Sequence, residues 1–197
     1  MPPTPGPGPV GVYPGSFNPP TVAHLTIAAA ARDQGGLARI ELVVSEVALG
    51  KEHVNVPRLA DRVALLRQVA AARPWLSVSV TDAQLIADVA EGYDALVLGA
   101  DKWAQVVDPA WYGGDLGARD AALARLPRAL VAPRSPFPPP RWPGARLLEL
   151  GMDQHLVSST AVRGGRREWM LPEAAEFDRR TGAWSDPERY RRGAGER

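Results

Sequence analysis

Six short strand-like runs, mostly apolar and parted by segments with helical spacing, constrain this chain more than any other feature. Val10, Val12 and Tyr13 begin the series, and residues 40–44, 76–80, 95–98, 129–132 and 146–150 continue it. Most of the runs are continuous rather than alternating, the pattern of strands covered on both faces. Between them, residues 22–32, 57–73, 83–91 and 116–126 read as helices. In the second of these, Leu59, Val63, Leu66 and Ala70 recur at the helical period, and Pro57 suits a first turn. Alternation of strand and helix predicts an α/β fold with right-handed crossovers, a Rossmann-like doubly wound parallel sheet of about five to six strands in a single domain. The length of 197 residues suits one domain with a sizeable core.

Composition narrows the function classes. A formal net charge of +1 gives no broad surface for nucleic acid or membrane. Cysteine is absent, which excludes disulfides and thiolate metal sites, and no apolar run is long enough for a signal peptide or a membrane span. A cytoplasmic protein is the simplest expectation. Residues 1–9 are Pro and Gly at nearly every position and read as a disordered tail. From Gly164 onward Arg, Glu and Gly dominate, with Trp169, Phe177, Trp184 and Tyr190 spaced through. The favoured reading there is a solvated, charged terminus, with residues 171–197 a C-terminal helix or flexible tail.

Ligands of doubly wound sheets bind beyond the carboxyl ends of the strands. That rule nominates residues 15–21, 45–51, 99–101, 133–134 and 158–160, where polar or glycine residues follow each run. In the first, Pro14, Gly15, Asn18, Pro19 and Pro20 break regular structure, and Thr21 is a good N-cap for the helix that follows. A helix start behind a Gly-containing loop presents unpaired N–H groups and favours phosphate. Ser16 and Thr21 add hydroxyls, and His24 falls one turn in, on the side of Thr21. In the last, Ser158, Ser159 and Thr160 start a helix with Arg163 one turn on, a set that converges on a single anion.

Gly15-Ser16-Phe17-Asn18-Pro19, followed by Thr21 and His24, resembles the phosphate loop and His/Thr-x-Gly-His signature of the nucleotidylyltransferase superfamily, with Ala23 where that family has Gly. Val157-Ser158-Ser159-Thr160 with Arg163 resembles the Ile-Ser-Ser-Thr-x-x-Arg motif of nicotinate and nicotinamide mononucleotide adenylyltransferases. Gly99-Ala100-Asp101 and Arg134 are similar to their nucleotide and substrate contacts. The resemblance implies a domain over residues 10–170 that moves AMP from ATP to a phosphorylated acceptor, releasing pyrophosphate in NAD biosynthesis. His24, as imidazolium, and Thr21 would be catalytic. Gly15, Ser16, Phe17, Asn18, Gly99, Asp101, Ser158, Ser159, Thr160 and Arg163 would bind the nucleotide, and Lys51, Trp111 and Arg134 the acceptor. Mg²⁺ would be bound mainly through phosphates, with no dedicated protein metal site. The partners implied are ATP and a small-molecule acceptor, with homo-oligomerisation left open. Thr21 and Tyr13-Pro14-Gly15-Ser16-Phe17 also look like phosphopantetheine adenylyltransferases, so that acceptor stays open, as do a cytidylyltransferase and a non-catalytic nucleotide-binding protein in which Ala23 crowds the nucleotide.

Overall fold

A computed structural model of the chain describes residues 8–46, 56–151 and 156–195. Six strands, β1 (Val10–Pro14), β2 (Arg39–Ser45), β3 (Leu76–Thr81), β4 (Ala95–Gly99), β5 (Arg128–Ala132) and β6 (Ala145–Leu147), form one sheet in the order β3-β2-β1-β4-β5-β6. All five neighbour pairs are parallel, so the doubly wound expectation holds. The order reverses direction between β1 and β4, which opens a crevice at their carboxyl ends.

Helices cover both faces because the strands are apolar on both. Along β4, Ala95 and Val97 pack into one core while Leu96 and Leu98 pack into the other, and β5 repeats the division. The first core is closed by α1 (Val22–Gly35) and α2 (Leu59–Ala71) through Ile27, Ala28, Val63 and Leu66. The second is closed by α3 (Ile86–Val89), α4 (Ala100–Val107) and α5 (Leu116–Ala124) through Val89, Trp103, Val106 and Leu123. Trp103 is therefore core packing.

Several segments depart from expectation. Helix 83–91 is reduced to the single turn of α3, and α4 begins directly at the end of β4, with Gly99 as its extended N-cap residue. The larger correction concerns the C-terminal region. After the short helix α6 (Ser159–Arg163), helices α7 (Pro172–Thr181) and α8 (Pro187–Gly195) lie on α2. Trp184 and Tyr190 are buried there with Leu65, Val69, Val162 and Ala174, so this stretch is a third packed layer rather than a solvated terminus. Arg73 also pairs with Glu173 across the α2–α7 contact at 3.0 Å. Among the described residues, no helix is long and apolar enough to cross a membrane.

Candidate active site

β1 ends at Pro14, and the chain then makes a tight turn to reach α1. Gly15 donates its N–H to Val43 O at 3.0 Å, and a Cβ on it would press on the Phe17 ring at 2.9 Å. Phe17 adopts φ +44, a left-handed conformation unusual for a bulky residue, and is only 1% exposed. Burial of its ring holds that conformation. The ring sits edge-on to His24 at 5.1 Å and to Tyr13 at 5.5 Å. Phe17 thus supports the imidazole from below, and its side chain does not line an open groove.

Thr21, fully buried, is the N-cap residue of α1. Its backbone N–H donates to His24 Nδ1 at 2.9 Å, with Thr21 Oγ1 2.8 Å from the same nitrogen. A histidine therefore fills the place that Glu or Gln takes in a capping box. An N–H can only donate, so Nδ1 is unprotonated while this bond stands, and the ring hydrogen lies on Nε2. This corrects the imidazolium expectation: in this geometry His24 is a neutral, oriented donor.

The second motif closes over the first. Ser158 caps α6 by accepting the Ala161 N–H at 3.1 Å. The Ser159 hydroxyl donates to Pro19 O at 2.7 Å, and Arg163 Nη1 donates to Asn18 O. Arg163 Nη2 reaches Thr160 Oγ1 at 3.1 Å, and Thr160 is exposed. Partial burial holds the Arg163 guanidinium below its ordinary value, and it remains cationic. The two stretches, about 140 positions apart, are one structure at the end of β1.

The carboxyl ends of β4 and β5 add a charged pair. Arg134 Nε lies 3.3 Å from Asp101 Oδ1, and Arg134 Nη2 donates to Val157 O at 3.3 Å. A Cβ on Gly99 would collide with that Asp101 oxygen, so glycine is what allows the carboxylate to fold back over the strand end. Burial raises the Tyr13 hydroxyl well above its ordinary value, with Arg134 opposing and Asp101 adding to the shift, which ties this pair electrostatically to the end of β1.

A cytidylyltransferase-like family model matches residues 12–165. The chain belongs to that family. The match spans both motifs and ends before α7 and α8. A probable nicotinate-nucleotide adenylyltransferase of Salinibacter ruber (strain DSM 13855 / M31) is 27% identical over 187 residues, covering 84% of this chain and 91% of that protein. Two structures of Plasmodium falciparum nicotinic acid mononucleotide adenylyltransferase share the fold at a TM-score of 0.65 and 12% identity. The one complexed with APC covers 90% of this chain and 97% of its own, and the one complexed with NaAD covers 89% and 96%.

Other residues of this cytidylyltransferase-like site fall out variously. Trp111 is half-buried on a 3₁₀ turn, Pro109–Tyr112, that follows α4. Lys51 lies outside the described residues. Ala23, 2% exposed, directs its methyl into the core that α1 shares with the sheet.

Two residues to which the sequence assigns no role hold the loop. Arg62 of α2, 6% exposed, donates from Nη1 to Ser16 O at 2.9 Å, and burial lowers its affinity for its proton. Trp184 donates from Nε1 to Asn18 Oδ1 at 2.5 Å. Arg62 carried a signal, a lone Arg among the apolar positions of an amphipathic helix. Trp184 carried none, because its partner is 166 positions away.

Proposed function

We propose that this chain transfers the adenylyl group of ATP to nicotinate or nicotinamide mononucleotide, forming the dinucleotide and pyrophosphate in NAD biosynthesis. The observation that carries the reading is the junction of the two motifs: Ser159 and Arg163 are hydrogen-bonded to the loop that leads into the Thr21–His24 cap. The Salinibacter relative and the Plasmodium structures favour a pyridine mononucleotide over phosphopantetheine as acceptor.

The acceptor's phosphate oxygen attacks the α-phosphorus of ATP, the bond from that phosphorus to the bridging oxygen breaks, and pyrophosphate leaves with the electron pair. No covalent enzyme intermediate is required. Catalysis consists of alignment and charge stabilisation. His24 Nε2–H hydrogen-bonds an α-phosphate oxygen as charge develops, and the Thr21 N–H keeps the ring in that tautomer. Arg163 and Thr160 take the outer phosphates, with the Gly15–Ser16 turn and Ser158–Ser159 beside them. The Ser159 hydroxyl proton is committed to Pro19 O, so Ser159 acts here mainly by holding the loop. Gly99 and Asp101 serve the nucleotide, while Arg134, Lys51 and Trp111 serve the acceptor. The catalytic domain in this reading is 10–170, in a cytoplasmic enzyme whose partners are small molecules.

The donor set fits Mg²⁺ that arrives with the nucleotide. Among the described residues no group of three or more His, Asp or Glu is gathered to hold an ion. Mg²⁺ is commonly bound through phosphates and waters with one or two carboxylates, and Asp101 is the only carboxylate the motif residues offer it. When bound, the ion neutralises phosphate charge.

Pyrophosphate release, measured with nicotinate mononucleotide, nicotinamide mononucleotide and phosphopantetheine offered separately, and with CTP replacing ATP, tests the reading. Turnover with ATP and a pyridine mononucleotide is expected. Turnover only with phosphopantetheine, or only with CTP, would replace the proposed substrates. ATP binding without pyrophosphate release would identify a binding protein.

A further inference from the structure

The turn that delivers His24 cannot hold itself. Pro19 and Pro20 have no N–H, so Asn18, Pro19 and Pro20 depend on donors from elsewhere in the chain. Those donors come from the C-terminal third. Asn18 O accepts from Arg163, Pro19 O from Ser159 at 2.7 Å, and Pro20 O from the Leu171 N–H at 3.2 Å. Thr21 forms an antiparallel bridge with Met170. The Asn18 side chain is held from beyond the family match, since Trp184 Nε1 donates to its Oδ1 at 2.5 Å while its Nδ2 donates to Val56 O at 3.3 Å. An indole N–H only donates and a carbonyl only accepts, so chemistry dictates the orientation of this buried amide.

Trp184 is itself fixed. It is 7% exposed, its own N–H donates to Asp178 Oδ1 at 2.7 Å, and its ring packs 5.8 Å from that of Phe177. Helix α8 is seated on α2 by Tyr190, whose hydroxyl donates to Asp61 and accepts the Arg58 N–H at 2.9 Å.

We propose that Trp184 is a positioning residue for adenylyl transfer: its indole N–H orients Asn18, and through the Pro19–Pro20 turn it sets where Thr21 presents His24. Trp184, outside the stretch that matches the family, thus positions a site built within it. The inference rests on the adenylyltransferase reading, and its test separates the two.

The full chain is compared with Trp184→Phe, which keeps a ring in the core and removes the N–H, and with Asn18→Ala and Asn18→Asp. With ATP and nicotinate mononucleotide, Trp184→Phe should lower kcat about tenfold with KM for either substrate within about twofold, as expected for the loss of one buried hydrogen bond. The double variant with Asn18→Ala should be no worse than the poorer single variant, because both remove the same link. Asn18→Asp keeps an acceptor for the indole and should retain more turnover than Asn18→Ala. In ¹⁵N spectra, the indole resonance lost in Trp184→Phe should move in Asn18→Ala, and the Thr21 amide and His24 ring signals should shift in Trp184→Phe. Wild-type kcat in Trp184→Phe, losses that multiply in the double variant, or unshifted Thr21 and His24 signals would overturn the proposal. A wild-type chain that releases no pyrophosphate would overturn the adenylyltransferase reading alone, and the spectra would then decide the role of Trp184. If Trp184→Phe fails to fold, the two Asn18 variants and their effect on the Trp184 indole signal carry the same test.

Discussion

At the scale of single residues, the Thr21–His24 cap decides the most. His24→Ala removes one directed donor from developing charge and should lower kcat by about 10²–10³, about 2.7–4 kcal/mol, with little change in melting temperature. A variant with full turnover would remove His24 from the mechanism. Ala23 poses the opposite question, since the family places Gly there. Its methyl is buried in the core of α1 rather than standing over an open groove. Ala23→Gly should therefore cost about 1 kcal/mol of stability through lost packing and a more flexible helix, while turnover stays within about threefold. Thermal unfolding and steady-state rates on the same preparation check both halves. A large gain in turnover would show that the methyl does crowd the nucleotide.

At the scale of elements, strands were legible because both of their faces are apolar, and the turn at Gly15–Pro20 because it concentrates residues that break regular structure. Helix α4 was not, since it starts at the end of β4, where Gly99 and Asp101 read as a loop. The chemistry of the two motifs could be read from residue types, whereas their contact, Ser159 with Pro19 and Arg163 with Asn18, is made by folding across the sheet. That the C-terminal helices pack as a layer is illegible for a similar reason. The apolar positions of 171–197 are sparse, and its burial depends on single anchors such as Trp184 and Tyr190. Asp178 holds the turn between α7 and α8 by accepting the N–H groups of Trp184 at 2.7 Å and Ser185 at 2.9 Å. Asp178→Ala leaves both without a partner and should destabilise the protein by about 2–4 kcal/mol, read by denaturant unfolding. A loss under about 0.5 kcal/mol would mean that water or a rearranged turn replaces the carboxylate.

At the scale of the whole molecule, three layers converge on one crevice. The sheet brings the ends of β1, β4 and β5 together, α1 and α2 hold the Gly15–Thr21 turn through Thr21, His24 and Arg62, and α6 and Trp184, between α7 and α8, hydrogen-bond to it from the other side. Global packing also has a signature in pH. Burial raises the hydroxyls of all four tyrosines, and the neighbouring Glu41 helps push Tyr93 up to about 12. In the unfolded chain tyrosine titrates near about 10, so the fold favours the neutral ring. The stability this contributes is complete below about pH 10 and is lost as pH climbs through about 12 for Tyr93. Tyrosinate absorbance should therefore rise together with loss of circular dichroism, later than in the denatured chain. Titration of all four near about pH 10 with the fold intact would contradict the burial described.

Transfer of an adenylyl group by the joined motifs is tested by identifying the product. The wild-type chain is incubated with ATP, Mg²⁺ and, separately, nicotinate or nicotinamide mononucleotide, and the products are separated and weighed by mass spectrometry. The adenine dinucleotide and pyrophosphate should appear in equal amounts, with both nearly abolished in His24→Ala. Bound ATP with no dinucleotide from either pyridine mononucleotide would contradict that transfer.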